Sequence, residues 1–166
     1  MVRIVVSLIL LVLLATPAAG QNFSDAEQLS KVKAVRVVVI DHVRDGCLPN
    51  ADALKTEAEQ VLRRSGIEVV ETDDGTPHQL LIAIVGGEMK RKGEKGPIPL
   101  GACTAGVATN LLRDEYLKNG SVGRVQAFMI MGYTFVMKDQ FQQQLRAIVN
   151  EYVSVLAKAI VTARQK

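Results

Sequence analysis

The sequence predicts an α+β protein: a single small domain in which two amphipathic helices pack on one face of a twisted, mostly antiparallel sheet of four to five strands. Three observations predict it. An early apolar strand-like run leads into a well-capped helical pattern. The middle of the chain then falls into several strand-like segments separated by turn signals. From Lys138 the apolar spacing changes from two to about 3.6 and holds nearly to the end.

The chain opens with a segment that is expected not to belong to the fold. Met1-Val-Arg is a short basic start, Ile4 to Leu14 is an almost unbroken apolar run, and small residues follow (Ala15, Ala18, Ala19, Gly20). This is the layout of a secretory signal peptide, cut after Gly20, with Ala18 and Gly20 in the small-x-small positions. A membrane-spanning helix needs about 20 consecutive apolar residues, and the run supplies about half that, interrupted by Ser7. No cysteine stands at its end to carry a lipid. Residues 1–20 therefore read as signal peptide and residues 21–166 as one exported α+β domain, periplasmic or secreted. Taking twenty residues from 166 leaves 146, enough to bury a core without staples.

Ser24-Asp-Ala-Glu27 is a capping-box pattern and predicts a short helix over 25–30. Residues 32–43 read as a strand, apolar on both faces of the pleat and so expected to be central. Leu48-Pro-Asn50 stops it. Asn50 can cap a helix running to about Ser65, with Leu54, Ala58, Val61 and Leu62 on one stripe and Gly66 in the left-handed position beyond its end. Residues 67–71 form a short strand and 72–77 a turn. Residues 79–89 form the next strand, in which Gly86-Gly87 points to a bulge or a close backbone approach.

Lys90 to Pro99 holds three consecutive basic residues, two glycines and two prolines, and is expected to be an exposed hairpin loop. Residues 101–112 read as a strand. Asn119-Gly120 signals a type I′ turn. The strand over 122–136 follows, with Val125, Ala127, Met129, Met131, Tyr133 and Phe135 on one face. The closing helix carries Phe141, Leu145, Ile148, Tyr152, Leu156 and Ile160 on one stripe.

Cys47 and Cys103 are the only two cysteines. In an oxidising compartment an isolated pair forms one disulfide, which would stabilise a loop of this length by about 4 kcal/mol in the chain-entropy model. Redox chemistry is disfavoured because the Cys-x-x-Cys spacing is missing. Loss of Arg3 with the leader leaves 19 basic against 17 acidic residues, too near neutrality for general nucleic-acid or membrane attraction. Tryptophan is absent and aromatic residues are few, which disfavours stacking platforms for sugars or bases.

Two clusters carry what chemistry the sequence offers. Asp41, His42, Arg44 and Asp45 lie where the first long strand runs out, a position where ligand sites gather in open α/β sheets. Strand alternation puts Asp41 and His42 on opposite faces, so they do not form a simple acid–base dyad. The plainer expectation is a polar strand end with an Asp–Arg ion pair beside the disulfide. Lys90, Arg91, Lys92 and Lys95 form the second cluster, a cationic tip suited to an anionic envelope component or an acidic protein, although Glu88 and Glu94 offset part of its charge. His78 and His42 lack metal-ligand spacing, no cofactor fingerprint is present, and neither metal nor cofactor is expected.

In the order of its elements the chain resembles small periplasmic domains of envelope-assembly proteins, such as the amino-terminal domain of the Tol-system propeller protein and the lipopolysaccharide-assembly lipoprotein. It departs from the lipoprotein members in lacking the lipid-anchor cysteine. The resemblance implies binding or assembly rather than catalysis. The first expectation is thus a non-enzymatic envelope-assembly factor acting through a sheet edge or the basic tip on an envelope protein or anionic component. The alternatives are a small hydrolase-like enzyme centred on Asp41, His42 and Asp45, and a structural protein that self-associates through its sheet.

Overall fold

The computed structural model describes residues 22–71, 78–116 and 120–165. The leader expected at 1–20, the turn expected at 72–77 and Asn119 of the expected Asn-Gly turn lie outside the described residues. In chain order the elements are β1 (Asn22–Ser24), α1 (Ala26–Ser30), β2 (Ala34–Val43), α2 (Asp52–Arg64), β3 (Glu68–Val70), β4 (His78–Gly93), β5 (Gly96–Tyr116), β6 (Val122–Met137), a 3-10 turn at Lys138–Gln140, and α3 (Phe141–Arg164). The α+β architecture matches the sequence expectation. The sheet is mixed and six-stranded in the order β1-β6-β5-β4-β2-β3, with both outermost strands only three residues long. β2 is parallel to β3 and to β4, and the other pairings are antiparallel.

Local chemistry sets the helix boundaries. Asp25, rather than Ser24, caps α1, its Oδ1 accepting the N–H groups of Glu27 (3.1 Å) and Gln28 (3.3 Å). Asn50 Oδ1 accepts the Ala53 N–H at 3.1 Å at the start of α2. Gly66, at φ +73°, takes the left-handed turn after α2 that a side chain would resist. The buried line of α3 is Phe141, Leu145, Val149, Val153, Leu156 and Ile160. Ile148 and Tyr152, expected on this stripe, flank it half-buried, and the buried line runs instead through Val149 and Val153, one position further along.

One core lies between the helices and a single face of the sheet. Leu54, Ala58 and Leu62 of α2 and the α3 line meet Val35 and Val37 of β2, Leu80, Ile82 and Ile84 of β4, and Val107 and Leu111 of β5. Glu57 ties the two long helices together, accepting from Arg146 Nη2 at 2.9 Å and Asn150 Nδ2 at 2.7 Å. Two close approaches depend on glycine. A Cβ on Gly86 would stand 2.1 Å from the Thr104 carbonyl oxygen, so β4 and β5 approach here more closely than side chains allow. A Cβ on Gly132 would stand 2.1 Å from the Tyr152 hydroxyl, which occupies that place.

Two expectations are corrected. β2 is not buried on both sides: Val35 and Val37 are buried, their neighbours are partly exposed and Ile40 to His42 are exposed, because both long helices lie on one face. Lys90 to Pro99 is not a loop. It is paired as far as Gly93 opposite Gly96, which leaves only Glu94 and Lys95 as the turn. The disulfide forms as expected, joining Cys47 in the loop after β2 to Cys103 of β5 with Cα atoms 6.1 Å apart.

Candidate functional site

The polar strand end is built as a clamp. Asp41 Oδ1 accepts the N–H of Val43, two residues on, at 2.7 Å. Asp45 adopts φ +62°, a left-handed conformation tolerated by aspartate, and its carboxylate takes Lys90 Nζ at 2.8 Å. The expected partner was an arginine, but Arg44 is exposed and the cation arrives from β4 instead. Lys138 completes the cluster, donating to the Asp45 carbonyl at 2.7 Å and approaching Glu88 Oε2 at 3.4 Å. The hydrogen bond from Lys90 holds the Asp45 carboxyl below the usual aspartate range, against an opposing effect of desolvation. These contacts pin the exit of β2, the base of the β4–β5 ribbon and the start of α3 beside the disulfide.

His42 stands apart from this clamp, on the other face of β2, opposite Val85 of β4. Among the described residues no carboxylate lies within hydrogen-bond distance of its ring, and no cluster of three or more His, Cys, Asp or Glu side chains could hold a metal ion. His78 is placed differently again, buried on the helix-covered side opposite Arg113 of β5. Arg113 donates to the Gln28 side chain and pairs with Glu115 at 3.4 Å, while His78 Nε2 finds no partner among the described residues.

Desolvation, and secondarily the Arg113 charge, lower the His78 pKa below its ordinary 6.5. The folded state therefore binds fewer protons here than the unfolded chain. This contribution to stability is complete above about pH 6.5 and is lost as pH falls through that value toward the depressed folded pKa. Denaturant midpoints should drop between pH 7 and pH 5, and His78→Gln should flatten that slope; an unchanged slope in the variant counts against the assignment.

A different candidate surface is the sheet face opposite the helices. Its cross-strand rows are continuous: Ile40, Ala83, Ala108 and Met131 form one, and His42, Val85, Gly106 and Tyr133 the next. Val85 is 59% exposed, Phe135 62% and Tyr133 83%. Small residues on β5 between the larger Val85 and Tyr133 leave an apolar trough of about 180 Å³, and the Tyr133 ring lies along Gly106.

The sequence groups Met129, Met131, Tyr133 and Phe135 on one face with Val125 and Ala127; in the structure Ala127 is buried, while Tyr133 and Phe135 stand exposed on the uncovered side. From Phe128 to Val136 apolar side chains occupy both parities of β6, more than one covered face can use. Phe128 and Ile130 fill the core, whereas Met129, Met131, Tyr133 and Phe135 point away from it.

No protein-family model and no curated protein matches the chain. Solved structures do. The PelC dodecamer from Paraburkholderia phytofirmans is 16% identical at a TM-score of 0.50, over 83% of this chain and 95% of that one. The chain shares its fold with PelC. A DUF330 protein from Xanthomonas campestris is 14% identical over 91% of this chain and 93% of its own, at a TM-score of 0.46. A minor lipoprotein from Acinetobacter baumannii is 11% identical over 80% and 95%, at a TM-score of 0.40. No helix among the described residues is long and apolar enough to cross a membrane.

Proposed function

We propose that this chain is an exported, non-enzymatic envelope-assembly protein that acts by packing the uncovered face of its sheet against further copies of itself. The observation that carries the reading is the continuous apolar surface over Ile40, Val85, Met131, Tyr133 and Phe135, which no helix among the described residues covers. Monomeric soluble proteins rarely leave such patches bare, and rows of this kind normally pack against another surface. A second copy suits it because the central rows are neutral except for His42, so like surfaces meet without opposed charges. The dodecamers described for PelC, a protein of the same fold, agree with the reading. The leader at 1–20 and the Cys47–Cys103 bridge support export to an oxidising envelope compartment.

The test is the native mass of residues 21–166 by light scattering at micromolar concentration. A multiple of the chain mass is expected, and Tyr133→Asp with Phe135→Asp should reduce it to the monomer while circular dichroism stays native. A monomeric parent protein, or a double variant that assembles as before, would overturn the proposal.

A further inference from the structure

The β4–β5 ribbon carries a second surface, separate from the sheet face. β4 pairs with β2 only as far as Gly86, and β5 pairs with β6 only from Ala102 onward. Residues 90–99 are therefore paired only with each other, and they project past the sheet as a two-stranded finger. Lys90, at its base, belongs to the Asp45 clamp. Arg91, Lys92 and Lys95 form no ion pair among the described residues, and Glu94 is the one acidic residue at the tip, which leaves the finger cationic.

Apolar side chains are interleaved with these charges. Met89, Ile98 and Leu100 are all exposed. Ile98 faces Arg91 across the ribbon and curls over Gly93, where a Cβ would stand 2.6 Å from its Cδ1. Pro97 and Pro99 lie opposite Lys92 and Lys90. Since proline has no N–H to donate, this strand of the finger is a poor template for adding a partner strand, and recognition falls to the side chains. Cations beside exposed aliphatic side chains, on a projecting tip closed to backbone pairing, complement one kind of surface: phosphates lying over hydrocarbon.

We infer that the Arg91–Leu100 finger docks the protein on a membrane surface bearing anionic phosphate headgroups, with Arg91, Lys92 and Lys95 on the phosphates and Ile98 and Leu100 among the upper acyl carbons. At such a surface each basic residue is worth about a fivefold change in partitioning at low salt, so removal of three lowers it by about a hundredfold. The effect fades as ionic strength rises and charges are screened.

The experiment is co-sedimentation of residues 21–166 with phosphatidylcholine vesicles, with and without phosphatidylglycerol. The parent protein should sediment with the mixed vesicles at low salt and not with the neutral ones. Arg91→Ala/Lys92→Ala/Lys95→Ala should abolish that binding, and Ile98→Ser/Leu100→Ser should weaken it while leaving its salt dependence in place. Neither variant touches the sheet face, so the mass in solution stays that of the parent and reports folding independently of binding. Equal binding by the parent and the triple variant, equal binding to neutral vesicles, or no binding by the parent would each overturn the inference.

Discussion

Joint replacement of Cys47 and Cys103 by alanine is expected to lower unfolding free energy by about 4 kcal/mol, read as a shift in urea midpoint between the variant and the oxidised parent. The two cysteines are 56 residues apart in sequence, and a cross-link over such a loop removes much of the freedom of the unfolded chain. Both side chains are also almost fully buried, so the variant loses packing as well as the bond. Domains of this size have about 5–15 kcal/mol of stability in all, so the loss is a large fraction of the total. Its position adds to the effect. The bond adjoins the Asp45–Lys90–Lys138 clamp, and without it the exit of β2 is held by exposed polar contacts that water screens. Adding reductant to the parent should reproduce the shift; coincident oxidised and reduced curves would show that the bridge contributes nothing.

The second large effect is expected at Gly86. Alanine there would place a methyl 2.1 Å from the Thr104 carbonyl oxygen and 2.8 Å from the Ala105 backbone, and neither belongs to a side chain that can swing away. The cost should reach about 3 kcal/mol or more, the upper range for overpacking, because the central β4–β5 pairing must spread to relieve it. Gly132→Ala gives an informative comparison. Its new methyl would strike the Tyr152 hydroxyl, the far end of a side chain at the rim of the core, and Tyr152→Phe should recover most of the loss. No such rescue exists for Gly86. Urea titrations of the three variants decide the matter, and a Gly86→Ala protein as stable as the parent would contradict the described approach of the two strands.

Much of this architecture was legible because local chemistry and tertiary packing agree. The α2 stripe of Leu54, Ala58 and Leu62 between Asn50 and Gly66 leaves one plausible element, and the structure has it. The period change at Lys138 marks the closing helix for the same reason. The failures have separate causes. Apolar residues on both faces of a strand usually mean cover on both faces, and the second faces of β2 and β6 have none among the described residues. Prolines and glycines between Lys90 and Pro99 read as a loop, yet Pro97 and Pro99 sit at alternate positions of a ribbon, where their missing donors do not prevent pairing at Arg91–Ile98 and Gly93–Gly96. At the polar strand end the residue types were visible, but the partner of Asp45 came from another strand, and sequence adjacency favoured Arg44.

The parallel pairing of β2 with β4 bears on how the chain reaches this state. Val37 to Val43 find their neighbours only at Leu80 to Gly86, after α2 and β3 have intervened. A polypeptide emerging amino end first, from a ribosome or a membrane pore, holds its most β-branched stretch without a companion until some forty further residues have followed. During that interval the segment is adhesive, and a holding chaperone would have its greatest effect there.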